Sequence, residues 1–145
     1  MSRQNVCIRS KLHELSEALI GTPFKHLGRT KEEGFDCYGL FIFLMKEIGV
    51  EIPDWTYNQD WAKHGKNYFV ENYHFYAQEI RADCIKAGDA ALLKGVNGTA
   101  CHVVVCIGGN KFIHTLKGIG VSIASFDLPM YQRRLVGFYH MKRQA

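Results

Sequence analysis

The chain has 145 residues, a formal net charge of +4, 47% hydrophobic residues and 22% charged residues. That is the balance of one ordinary soluble domain, long enough to bury ~68–70% of its unfolded surface without covalent staples. No apolar run approaches the ~18–20 residues of a membrane span. The basic residues fall in scattered groups (Arg29-Thr30-Lys31, Arg133-Arg134, Lys142-Arg143) rather than in the stripe that nucleic-acid binding needs.

Residues 6–20 place Ile8, Leu12, Leu15 and Leu19 at helical spacing, with Lys11, Glu14 and Glu17 on the opposite side. This predicts an amphipathic helix closed by Gly21-Thr22-Pro23. A loop from Phe24 to Phe35 leads into Gly34-Phe35-Asp36-Cys37-Tyr38-Gly39-Leu40 and an apolar run ending at Gly49. Asp36 is a good N-cap and Gly49 a good stop, so Cys37 enters the first turn of a buried helix. There the helix dipole and unpaired backbone N–H groups favour thiolate, the form that attacks carbonyls. A small buried structural thiol is the alternative at this position.

Residues 54–80 are rich in aromatics (Trp55, Tyr57, Trp61, Tyr68, Phe69, Tyr73, Phe75, Tyr76) and lack a clean period; part of this stretch is expected to be helical. Beyond Ala82 come short β runs over Asp89–Lys94, Cys101–Ile107, Lys111–Leu116, Val121–Ala124 and Leu135–Met141, separated by glycine-bearing turns, with Asn97-Gly98 suited to a hairpin loop. Helices followed by strands predict an α+β fold, N-terminal helices on an antiparallel sheet of about five strands. With no repeat, linker or low-complexity tract, residues 1–145 read as one domain.

Five cysteines with no CxxC pair argue for reduced thiols rather than a disulfide framework. The N-terminus lacks the apolar segment of a secretory signal, so synthesis in the cytoplasm is expected. Cys101, His102, Cys106 and His114 match no zinc spacing, and adjacent strand residues point to opposite faces. No metal or other cofactor is expected.

A cysteine hydrolase needs an imidazole to take the thiol proton and a third polar group to orient that imidazole. Among seven histidines, His13, His64 and His74 read as incidental, and His140 has no evident partner. His102 and His114 both fall inside apolar strands joined by a short turn. A three-residue loop, Gly108-Gly109-Asn110, opposes Val104 to His114 and makes the two imidazoles diagonal neighbours on one face. A two-residue loop would put them on opposite faces.

Gly21-Thr22-Pro23-Phe24, the Gly34–Leu40 segment, Gly49-Val50-Glu51-Ile52-Pro53, Ala87-Gly88-Asp89-Ala90-Ala91-Leu92-Leu93, Cys101-His102-Val103-Val104-Val105 and Phe112-Ile113-His114 together resemble the NlpC-type cell-wall peptidases. The resemblance runs from about Leu12 to Phe126. It implies a papain-like α+β fold and hydrolysis of peptidoglycan stem peptides, commonly between D-γ-glutamate and diaminopimelate. By motif position it assigns Cys37 as nucleophile, His102 as base and His114 as its orienting partner, and puts Phe24, Asp36, Tyr38 and Cys101 beside the substrate. Two positions depart from the pattern: Phe24 lacks the hydroxyl many members carry there, and Tyr38 replaces a small residue. Pro23-Phe24-Lys25-His26-Leu27-Gly28-Arg29 looks closest to the branch encoded in phage tail gene clusters. This implies a virion location and other tail-tip proteins as partners. The rival readings are a structural tail-tip protein with little catalysis and a papain-like acyltransferase or amidase.

Overall fold

A computed structural model describes residues 3–55, 72–95 and 100–142. Among them are three α-helices: α1 (Arg3–Leu19), α2 (Cys37–Glu47) and α3 (Pro129–Arg134). A two-stranded hairpin pairs β1 (Arg29–Thr30) with β2 (Gly34–Phe35). The six-stranded sheet holds β3 (Ala77–Ile80), β4 (Ala90–Lys94), β5 (Ala100–Gly108), β6 (Lys111–Leu116), β7 (Gly120–Ser125) and β8 (Leu135–Met141). Its order is β3-β8-β4-β5-β6-β7, with every neighbouring pair antiparallel.

The α+β expectation holds, with two additions. β3 is a sixth strand, invisible in Ala-Gln-Glu-Ile because a short edge strand with polar residues carries little β signal. α3 gives the sheet a helix on its second face. The Asn97-Gly98 loop and most of the aromatic stretch (Tyr57, Trp61, Tyr68, Phe69), with His64, lie outside the described residues.

Alternation along the strands divides the core in two. Ala90, Leu92, Val103, Val105, Ile107 and Ile113 pack against Leu12 and Leu19 of α1 and Leu40, Phe41, Leu44 and Met45 of α2. Each of those four α2 side chains is buried, and burial of each contributes about 1.5–3 kcal/mol. Ala91, Leu93, Val104, Cys106, Phe112 and Phe138 form the other face, closed by Tyr131 of α3.

His140, which showed no partner in the sequence, has one in space. Its Nδ1 lies 2.7 Å from Oδ1 of buried Asp89, whose Oδ2 accepts the Lys86 N–H at 2.8 Å. This pair bonds β8 to the residue immediately before β4. No helix of the described residues is long and apolar enough to cross a membrane.

Candidate active site

The loop before α2 is built on Asp36. Its Oδ1 accepts the Gly39 N–H at 2.7 Å and caps the helix, while Oδ2 accepts the Leu27 N–H at 2.9 Å. The Arg29 guanidinium donates to the same Oδ1 at 2.9 Å and reaches Asp54 through Nε and Nη2. Leu27, with φ +60°, sits in the left-handed region that a branched residue adopts only when its surroundings hold it there. Asp36 therefore fixes both ends of the turn that presents Cys37, the first residue of α2, which is half-buried.

Gly39, one turn into α2, allows the helix to lie directly on the Gly28 carbonyl, which a β-carbon there would overlap. Gly39→Ala is expected to cost about 1–3 kcal/mol through overpacking against backbone that cannot move aside. Thermal denaturation of the variant checks this; an unchanged midpoint would contradict it.

His102 and His114 meet as the register arithmetic requires, by a different turn. Gly109 and Asn110, at φ +61° and +60°, make a two-residue loop of the kind that suits a right-twisted hairpin. Alone, that loop would send the imidazoles to opposite faces. A bulge between Cys106 and Gly108 inserts one residue, and the ladder resumes as Cys106 opposite Phe112 and Val105 opposite Ile113. Nε2 of His102 then stands 2.9 Å from Nδ1 of His114. His114 is fully buried, its ring edge-on to Phe112 at 4.9 Å and to Tyr131 at 5.8 Å. His102 is only partly covered, at the sheet end where β5 enters.

The start of α2 lies at that same end. At the start of β7 the Val121 N–H donates to the Thr22 carbonyl and the Val121 carbonyl accepts the Gly21 N–H, and next to them the Phe35 N–H donates to the Pro23 carbonyl. At its far end α2 finishes with Ile48 against Gly88, which bonds to Cys106 at the opposite end of β5. Cys37 and His102 thus approach the same rim of the sheet, Cys37 from the helix that covers the Val103–Val105 face and His102 from the strand. A second bulge, between Leu93 paired with His102 and Lys94 paired with Ala100, turns the β5 backbone at Cys101. Bulges of this kind re-aim the neighbouring side chain.

The remaining site candidates are dispersed in role. Phe24 is half-buried and bridges to Phe35 through its backbone. Tyr38 is buried, donates its hydroxyl to the Pro53 carbonyl at 2.8 Å and packs on Trp55 and Phe41. Asp36 is buried on the donors named above. The Cys101 side chain lies outside the described residues. Sequence reasoning missed Arg29 and Asp54, because nothing local in Arg29-Thr30-Lys31 distinguishes a half-buried ion-pair partner from a solvated cation.

Burial drives the histidine pair toward its neutral form. His102 is held well below 6.5, by burial first and then by the charges of His114 and Arg134; burial lowers His114 from 6.5 to about 4. The unfolded chain, titrating near 6.5, binds more protons than the native one at acid pH. Stability is therefore full above about pH 6.5 and is lost as pH falls toward about 4. Urea midpoints measured across that window should decline steadily and decline less in His114→Gln. An equal decline in both proteins would assign the effect elsewhere. Among the described residues, no cluster of three or more His, Cys, Asp or Glu side chains is arranged to hold a metal ion.

The model of the family described as NlpC/P60 matches residues 21–140. The chain is 28% identical over 132 residues to "Murein DD-endopeptidase MepS/Murein LD-carboxypeptidase" of Escherichia coli K12, covering 90% of this chain and 62% of that protein. It is 33% identical over 122 residues to "Murein DD-endopeptidase MepH" of the same organism, covering 81% and 40%. The chain therefore spans less than two thirds of the length of these relatives. It is also 27% identical over 89 residues to "Tail tip assembly protein K" of Escherichia phage lambda, covering 60% of this chain and 45% of that one. A similar-to-lipoprotein NLP/P60 structure from Staphylococcus aureus Mu50 superposes with a TM-score of 0.70 at 20% identity, covering 94% of this chain and 42% of that one. With the fold and the family's match over most of its length in agreement, this chain belongs to the NlpC/P60 family.

Proposed function

We propose that the chain is a cysteine endopeptidase of peptidoglycan peptides, with Cys37 as nucleophile, His102 as general base and His114 as the group that fixes the tautomer of His102. The observation that carries this is the 2.9 Å contact between Nε2 of His102 and Nδ1 of His114, at the rim where α2 presents Cys37. With Nε2–H donating to His114, Nδ1 of His102 keeps its lone pair for the thiol proton. The thiolate attacks the amide carbonyl, and the Cys37 backbone N–H, at the helix start, stabilises the oxyanion. Protonated His102 gives its proton to the leaving amine, and water, activated by the same imidazole, cleaves the thioester.

The bond read from the family resemblance is D-γ-glutamyl–diaminopimelate. The names of the two Escherichia coli relatives favour a second reading, a D,D bond in the cross-link. Similarity to the lambda tail-tip protein supports work in a phage tail, among other tail-tip proteins and outside the cell that made them.

Mass spectrometry of purified peptidoglycan fragments incubated with the protein and with Cys37→Ala tests the proposal. A Cys37-dependent product is expected, and its mass identifies the bond. Absence of product across wall types would favour a non-catalytic tail role. Alkylation offers an independent reading: Cys7 and Cys84 are exposed, Cys106 is buried, and burial pushes its thiol up. An activated Cys37 should react much faster than Cys7 or Cys84 near neutral pH, by at least ~10-fold. Equal rates would count against activation.

A further inference from the structure

Arg134 is the last residue of α3 and immediately precedes Leu135, which pairs with Leu93 of β4. On its other side Leu93 pairs with His102, so Leu135, Leu93 and His102 form one row across three strands. Neighbouring strands lie about 4.8 Å apart, which puts the two ends of that row ~10 Å apart, a gap that an arginine side chain can largely span. Tyr131, three residues before Arg134 and therefore on the same face of α3, touches the His114 ring. The face of α3 that bears Arg134 is the one turned to the imidazoles.

Arg134 is half-buried, and among the described residues its guanidinium has no carboxylate partner. Arg29, the other arginine close to the site, is consumed by Asp36 and Asp54. A partly desolvated guanidinium without a counter-ion is unfavourable until an anion reaches it, and its planar fork matches a carboxylate through two parallel hydrogen bonds. The charge already acts on His102, disfavouring its protonated form. An arriving carboxylate would cancel that effect at the moment the imidazole must take the thiol proton.

We infer that Arg134 is a specificity residue that binds the free α-carboxylate of a γ-linked D-glutamyl residue in the substrate. The inference rests on the endopeptidase reading above and narrows its substrate class. In a γ-linked glutamyl peptide the attacked carbonyl and the free α-carboxylate belong to one residue, three carbons apart. Amidation of that carboxylate leaves its size nearly unchanged and removes its charge.

The test uses two synthetic stem peptides identical except that the D-glutamyl α-carboxylate is free in one and amidated in the other. The wild-type protein should favour the free acid by ~10–100-fold in kcat/KM, the range expected for hydrogen bonds to a charged group. Arg134→Gln should bring that ratio close to one, the loss falling mainly on the acid, and Arg134→Lys should keep part of the preference. Thermal denaturation of each variant separates this from misfolding. Wild-type protein that cuts both peptides equally, or Arg134→Gln that slows both equally, would overturn the inference and leave the endopeptidase reading standing. Failure of the wild-type protein to cut either peptide, or any wall fragment, would overturn both.

Discussion

Cys37→Ala is expected to lower kcat/KM by at least ~10⁴-fold while leaving the fold intact. The side chain is half-buried at the first position of α2, and the exchange removes only a sulfur atom from a site that keeps its cap and its packing. The change in stability should stay below about 1 kcal/mol. His102→Ala should cost about as much as Cys37→Ala, and the double variant scarcely more, because nucleophile and base act as one unit. His114→Ala should cost less, by ~10²–10⁴-fold, because it removes the partner that fixes the base and not the base itself. Steady-state cleavage of a stem peptide, with circular dichroism on each variant, measures the series. Wild-type turnover by Cys37→Ala would end the mechanism. A His114→Ala rate equal to wild type would remove His114 from it while sparing the other two.

What could be read from the chain alone was whatever depends on neighbours in sequence. Asp36 and Gly49 bracket α2 because capping and left-handed termination are local chemistry; Gly49 has φ +89°. The β5–β6 register was legible as a residue count, since either three loop residues or two plus a bulge gives Cys106 the same partner, Phe112. What decided between them was the positive φ at both Gly109 and Asn110. Features that join distant segments left no local trace. The bond of His140 to Asp89 links positions 51 residues apart, and the Arg29–Asp54 pair links positions 25 apart. Tyr131 packs on His114 from a six-residue helix after Leu128, too short to show a period. Asp36 shows both limits. Its capping role was readable, whereas its use by Leu27 and Arg29, and its consequent burial, appears only once the β1–β2 hairpin folds back on the helix start.

That convergence makes Asp36→Ala the substitution with the largest expected loss of stability. The lost cap costs about 1 kcal/mol. The Leu27 N–H, held in a left-handed residue, loses its acceptor at a cost of about 1–3 kcal/mol. Arg29 keeps Asp54 and is not stranded, which limits the total to about 2–4 kcal/mol. For a domain of this size the thermal midpoint should fall by roughly 10 °C. Asp36→Asn retains an oxygen that can accept the Gly39 N–H and should recover part of the loss, though not the ion pair with Arg29. Because Cys37 is the next residue, Asp36→Ala should also lose turnover at temperatures where it is still folded. An Asp36→Ala protein that melts with the wild type would show that the turn before α2 holds its shape without this carboxylate. A variant that melts early yet retains full activity would show that Cys37 needs no help from the cap to meet its substrate.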